Sequence, residues 1–168
     1  MEQLIQQIRK ELLKRLIEEN TTRIKSCMDK LSEKDLHFRA NPNCNSIAML
    51  IRHLNGNIRQ WLINTLSQTG FRRNRAEEFK EDKSFDRNDL HKIIDQLERD
   101  LLKCIDQVNT DYLLKEFTIQ GFKTSGYGII NHVTEHCSYH CGQITLLTKI
   151  ILDIDTAYYE GIDLEEKH

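Results

Sequence analysis

The sequence predicts an all-α protein, a four-helix bundle with long crossover connections. Three observations point there. One proline and seven glycines among 168 residues, with 30% charged residues, is helical composition rather than sandwich or barrel composition. Four long segments repeat their apolar residues at a period near 3.6. The stretches between them are too long for the tight turns of a simple up-and-down bundle. The length suits one domain, residues 1–168, with one sizeable core. No internal repeat or low-complexity segment divides it.

The first helix covers residues 2 to about 29. Leu4, Ile5, Ile8, Leu12, Leu16 and Ile24 mark its buried stripe, with Lys, Arg and Glu opposite. Ser32 before Glu33-Lys34-Asp35 reads as a short capped turn. Residues 38–45 are irregular and polar, and Pro42, the sole proline, ends any helix before it. Ser46 is placed to cap a second helix that runs to about Ser67, with Ile47, Leu50, Leu54, Ile58, Trp61 and Thr65 as its stripe. His53 stands on the shoulder of that stripe, near Asn57 and Asn64. The pattern alone reads His53 as a surface residue, although a shoulder position in a bundle can also face a groove or the end of the core.

Residues 70–89 form a polar connection. Its basic run Phe71-Arg72-Arg73-Asn74-Arg75 precedes Glu77-Glu78, and the favoured reading is a solvated loop. The alternative is a loop over the mouth of a site, with Arg72, Arg73 or Arg75 holding an anionic group. Asp86 is a cap for a third helix over about 87–108, with Leu90, Ile93, Ile94, Leu97, Leu101, Leu102 and Ile105 as its stripe. Residues 109–126 are a crossover, with a helical turn near 112–114 and a loosely alternating, extended stretch from Glu116 to Phe122. Ser125 caps the last helix, about 127–152. Gly142 inside that helix costs about 1 kcal/mol relative to Ala, which a close approach of another helix would explain. The acidic tail from Asp153 to His168 offers Ile154, Tyr158 and Tyr159 to packing before the end frays.

The chemistry concentrates in the last helix. His136 and His140 are four apart, so they stand one turn apart on one face. Ile129, Val133, Ile144, Leu147 and Ile151 fall on the same stripe. Two imidazoles therefore point where the core should be, and each needs a partner there. Hydrogen-bonded core histidines satisfy that need, and so does a metal ion, which would use both. His132 lies toward the polar side, as a supporting or surface residue.

Charge and hydropathy exclude other classes. The formal net charge of −2 is unlike the basic footprint of a nucleic-acid binder. No apolar run reaches the length of a membrane span, and the first residues lack the basic and apolar parts of a signal peptide. The expected compartment is the cytoplasm. Five cysteines, Cys27, Cys44, Cys104, Cys137 and Cys141, match no disulfide framework and read as reduced thiols. Cys137 and Cys141 lie about 100° around the helix from the histidine pair, which argues against both as ligands. Glu135-His136 is not the His-Glu-x-x-His of a zinc peptidase, so that activity is rejected.

His136-Cys-Ser-Tyr-His140-Cys-Gly142-Gln143-Ile144 resembles the His-x3-His-x-Gly-Gln-Ile/Leu signature of the DinB-like superfamily of metal-binding helical bundles. Ile51-Arg52-His53-Leu54 resembles that superfamily's histidine near the start of the second helix. The run from Asn45 to Asn57 is most similar to a bacterial branch of uncharacterised function, and the likeness extends over the whole chain. The resemblance implies a DinB-like four-helix bundle, a homodimer, and a divalent ion, zinc or nickel, on His53, His136 and His140. It also implies transfer of a low-molecular-weight thiol, such as bacillithiol as cosubstrate, to a small electrophile. Three neutral imidazoles with open positions are the arrangement of a catalytic rather than a closed zinc site. One departure bears on the reaction: Cys141 stands where many relatives of that superfamily carry Arg. A metal-dependent transferase or hydrolase, a non-catalytic metal-binding or stress-response bundle, and a metal-free bundle that binds another protein are the three readings.

Overall fold

The computed structural model describes residues 1–165, which are mostly helical. Helix α1 spans residues 2–30 and is α-helical over Glu2–Leu13 and Thr22–Lys30, with a π-helical stretch, Lys14–Thr21, between them. It buries Ile5, Leu12, Leu16, Ile24, Cys27 and Met28. Leu4, expected in the stripe, is exposed, and Ile8 is half-buried. The wider π turns shift the helical phase, so one 3.6-residue stripe cannot describe both ends of α1. Thr21 and Asn20 are buried in that region, and Asn20 Nδ2 donates to the Arg15 carbonyl at 2.8 Å.

Helix α2, Glu33–Leu36, is a single turn closed by a capping box between Ser32 and Asp35. Helix α3 spans residues 47–67, with a π-helical stretch over Arg59–Ile63. Ser46 caps it by accepting from Met49 N–H at 3.3 Å. Nearly every residue from Ile47 to Ile58 is buried, so α3 is covered around most of its circumference. That is why His53, a shoulder position by pattern, is only 5% exposed. The reading of His53 as a surface residue is corrected here: the connection after α3 folds back over that shoulder.

That connection carries the one-turn helix α4, Arg75–Glu78. Helix α5, Arg87–Ile105, starts at Asp86, whose carboxylate accepts from Asp89 N–H at 2.8 Å. It stops three residues before the expected Val108, and Leu102 is exposed rather than in its stripe. A one-turn helix α6, Thr110–Leu114, leads into strands β1, Glu116–Ile119, and β2, Phe122–Ser125. They pair antiparallel, with Ile119 opposite Phe122. Gln120 and Gly121 both take positive φ, 52° and 84°, as a two-residue hairpin turn requires. The expected extended stretch is thus one arm of a hairpin. Helix α7, Gly126–Leu152, begins at Ser125, which accepts from Gly128 N–H at 3.1 Å.

Helix α3 packs on α5 and α7, and α1 packs on the same two, around one hydrophobic core. Tyr158 ties the tail to the core side: its hydroxyl lies 3.0 Å from Cys27 Sγ and 2.9 Å from Thr145 Oγ1. Ile154 and Tyr159, also expected to pack, are more exposed. All five cysteines are free thiols. No helix among the described residues is long and apolar enough to cross a membrane.

The glycines separate two kinds of position. A Cβ on Gly126 would overlap the Tyr112 carbonyl, so α7 can start against α6 only without a side chain there. A Cβ on Gly142 would meet nothing within 4 Å. The close helix approach expected at Gly142 is therefore not what the chain builds. Gly126→Ala should lose about 1–3 kcal/mol of stability through overpacking. Gly142→Ala should gain up to about 1 kcal/mol through helix propensity. Urea unfolding of both variants checks the contrast.

Candidate metal centre

Two rows of side chains face one another across the α3–α7 interface. On α3, His53, Asn57 and Trp61 follow at four-residue spacing; on α7, His132, His136 and His140 do the same. His53 Nε2 lies 2.8 Å from His136 Nε2. The His140 ring sits 4.4 Å from that of His136 and 4.9 Å from that of His53, both edge-on. One ring nitrogen from each of His53, His136 and His140 falls within 4.8 Å of the others. The structure thus brings together the three residues expected as ligands.

Two of the rings have an acceptor behind them. Glu78 Oε2 lies 3.0 Å from His53 Nδ1. Burial alone would raise the Glu78 carboxyl, but hydrogen bonds from Arg73 and His53 more than offset it and hold the group below its ordinary range. Glu78 is therefore an ionised acceptor. Arg73 Nη2, a donor, lies as close to His53 Nδ1, at 3.0 Å, and also donates to Glu78 Oε2 at 2.6 Å; the tautomer with its hydrogen on Nδ1 donates to the carboxylate and keeps the His53 lone pair on Nε2 for an ion. Gln143 Oε1 is the acceptor behind His140, taking Nδ1–H at 2.7 Å. A carboxylate or amide behind a metal-bound histidine sets ring orientation and raises ligand basicity.

Electrostatics keep His132, His136 and His140 neutral at pH 7. Burial, then the neighbouring His140, His53, His132 and Arg73, pushes His136 down to about 3. Burial also lowers His140, against the Gln143 hydrogen bond, and lowers His132, against the charge of Glu135. Neutral imidazole is the ligand form of histidine. At 2.8 Å apart, the Nε2 atoms of His53 and His136 need a proton or a cation between them. The donor set fits a divalent ion such as zinc, which binds imidazole nitrogen.

The carboxylate is seated by Arg73 and by a missing side chain. Arg73 Nε and Nη2 each donate to Glu78 at 2.6 Å, a bidentate pair with side chains only 3% and 9% exposed. Arg73 Nη1 also reaches Gln60 Oε1 at 3.3 Å. A Cβ at residue 56 would overlap the Glu78 carboxylate, so only Gly56 leaves room for it. Most of residues 70–89 are exposed, as a solvated loop requires, and Arg73 and Glu78 are the exception. Of the three arginines, Arg73 alone holds a carboxylate, that of Glu78; Arg75 stacks on Phe79, and Arg72 is exposed. Phe79 in turn lies 4.7 Å from the His53 ring. Sequence reasoning missed Glu78, Gly56 and Gln143 as supports. A charge pair five residues apart beside a helix was the available signal for Arg73 and Glu78.

His132 is half-buried in a stack, 4.2 Å from the Trp61 ring and 5.4 Å from that of His136, and outside the nitrogen cluster. Cys137 and Cys141 are buried outside it too, as their helical angle requires. Burial pushes their thiols up to about 12 and about 11, so both are uncharged. His132 and His136 are the half-exposed members of the facing rows, and solvent reaches the cluster on their side. The cavity of about 270 Å³ between α1 and α7, lined by Gln7, Glu11, Arg15 and Tyr127 among others, contains none of the three histidines.

A family model described as "Protein of unknown function (DUF1572)" matches residues 5–159. No curated protein matches the chain.

Replacing Glu78 by Gln should cost about 3–5 kcal/mol, because Arg73 would remain buried without its counter-charge. The double variant Arg73→Met with Glu78→Gln should recover most of that loss, and urea unfolding of the pair measures it. Stability of the metal-free protein should also depend on pH. Below the unfolded histidine value of about 6.5, the unfolded chain takes up protons that folded His132, His136 and His140 refuse. Their contribution is full above that pH and is lost as pH falls toward the depressed folded values. Glu78 adds a loss at lower pH, as its carboxylate protonates. The urea midpoint should fall from pH 7.5 to pH 5, and fall less steeply in His136→Gln.

Proposed function

We propose that this chain, which belongs to the DUF1572 family, is a divalent-metal-binding protein of DinB-like type. In this reading its long helices form a four-helix bundle with long crossover connections, and His53, His136 and His140 hold one zinc or nickel ion. The observation that carries it is the convergence of three ring nitrogens within 4.8 Å, two of them with their opposite nitrogen already committed to Glu78 and Gln143. A core that merely tolerated three histidines would have no need for the buried Arg73–Glu78 pair behind one of them.

When bound, such an ion lowers the pKa of a coordinated water or thiol and so supplies a nucleophile near neutral pH. The chain's own residues do the rest. Glu78 and Gln143 hold the His53 and His140 rings at fixed angles. Arg73 keeps Glu78 ionised. Phe79 closes one side of His53, while the half-exposed edges of His132 and His136 leave an approach for a small molecule. The reaction this supports is metal-assisted transfer of a low-molecular-weight thiol, bacillithiol in the first instance, to an electrophile. The same reading carries a homodimer, for which exposed Leu146 and Ile150 on α7 offer apolar surface.

A second reading, a non-catalytic ion that braces α3 against α7, draws on the burial of His53 and His140, 5% and 7% exposed. Metal analysis by mass spectrometry, on protein purified without a His-tag or added metal, comes first. About one zinc or nickel per chain is expected, lost in His136→Ala. A thiol-transfer assay with bacillithiol then separates the two readings. Turnover that disappears with His136→Ala supports the enzyme; bound metal without turnover supports the brace. A wild type that binds no ion on titration removes both.

A further inference from the structure

Asn57 is 4% exposed, and its Oδ1 is one of two buried side-chain polar atoms without a hydrogen-bond partner among the described residues. The other, Arg87 Nε, lies 3.9 Å from the Glu33 carboxylate, so it faces a counter-charge. Asn57 Oδ1 has no such neighbour. Buried acceptors without a donor are rare in folded chains, and each calls for a group supplied from elsewhere.

The position of Asn57 says what that group is. It follows His53 by one turn of α3, on the same face. Its Nδ2 lies 3.4 Å from His132 Nε2, and the His132 ring is stacked on that of His136. With the amide nitrogen turned to His132, the amide oxygen is left without a partner on the face of α3 that carries His53. An amide oxygen needs a hydrogen-bond donor there. The three histidines turn one ring nitrogen each toward a common point, and neither Arg73 nor Gln60 reaches Asn57 with a hydrogen bond.

We infer that Asn57 Oδ1 accepts a hydrogen bond from a water bound to the ion of the His53–His136–His140 centre, and so orients that water. This rests on the metal-binding reading above. It makes Asn57, with His132 behind it, the part of the site that faces the ion's open position. The same acceptor would orient a substrate hydroxyl that displaced the water.

The test compares wild type, Asn57→Leu and Asn57→Asp, each metal-free and zinc-loaded, with zinc alone as the probe. Zinc affinity comes from chelator competition at pH 7, and melting temperature from calorimetry. Metal-free Asn57→Leu should melt at or above the wild-type temperature, because an apolar side chain of similar size removes an unpaired acceptor. Its zinc affinity should fall about 10–100-fold, the usual cost of losing a group behind a metal site. Asn57→Asp keeps the acceptor and should bind zinc at least as tightly as wild type. Wild-type affinity in Asn57→Leu overturns the inference. So does a melting temperature lowered equally with and without zinc, which marks a purely structural amide. A wild type that takes up no zinc overturns the metal-binding reading itself, a separable result.

Discussion

The hydrogen bond from His53 to Glu78 is the interaction on which the centre depends, and it is itself the end of a chain of requirements. An imidazole on a nearly buried helix must give both nitrogens a partner. Glu78 takes one of them at 3.0 Å. A carboxylate in that place needs a counter-charge, and Arg73 supplies it through two hydrogen bonds. The pair needs room against α3, and residue 56 provides it by having no side chain. Gly56, Glu78, Arg73 and His53 thus form one unit.

That unit explains the long connection between α3 and α5. Its polar composition would suit a solvated loop, yet it is pinned at several points. Arg52 donates to the Lys80 carbonyl at 3.0 Å and stacks over Phe85, and His37 lies 2.9 Å from the Phe85 carbonyl. The segment therefore lies as a wall against the histidine cluster. Its anchors lie on α3 and on the residue after α2, so the wall is set by the same packing that sets the helices.

Stability and site make opposite demands on this fold. The apolar stripes of α1, α3, α5 and α7 supply the burial that drives folding. Around His53 the rules are broken: a buried ion pair contributes little net stability, an amide oxygen lacks a partner, and three imidazoles crowd together in place of apolar side chains. Such local conflicts gathered in one place are what a functional site looks like in an otherwise consistent structure.

The sequence by itself determined what is local. Helix periodicity set the four long helices, and the caps Ser46, Asp86 and Ser125 set the starts of three of them, because capping and stripe formation depend on residues within a few positions of one another. The same locality made His136 and His140 legible, since four-residue spacing alone puts them on one face. Tertiary structure decided everything that depends on which surface lies opposite. It buried His53, whose shoulder position reads as exposed until the connection covers it. It turned Arg73 and Glu78 from a charge run into a buried pair, which has no period to betray it. It left Gly142 in open space and crowded Gly56 and Gly126, because the neighbours that leave no room for a side chain at those two positions come from distant residues. Leu4 likewise fell outside the buried stripe: it stands about 100° from Ile5 on the same regular turn, and what packs against α1 covers Ile5 and not Leu4.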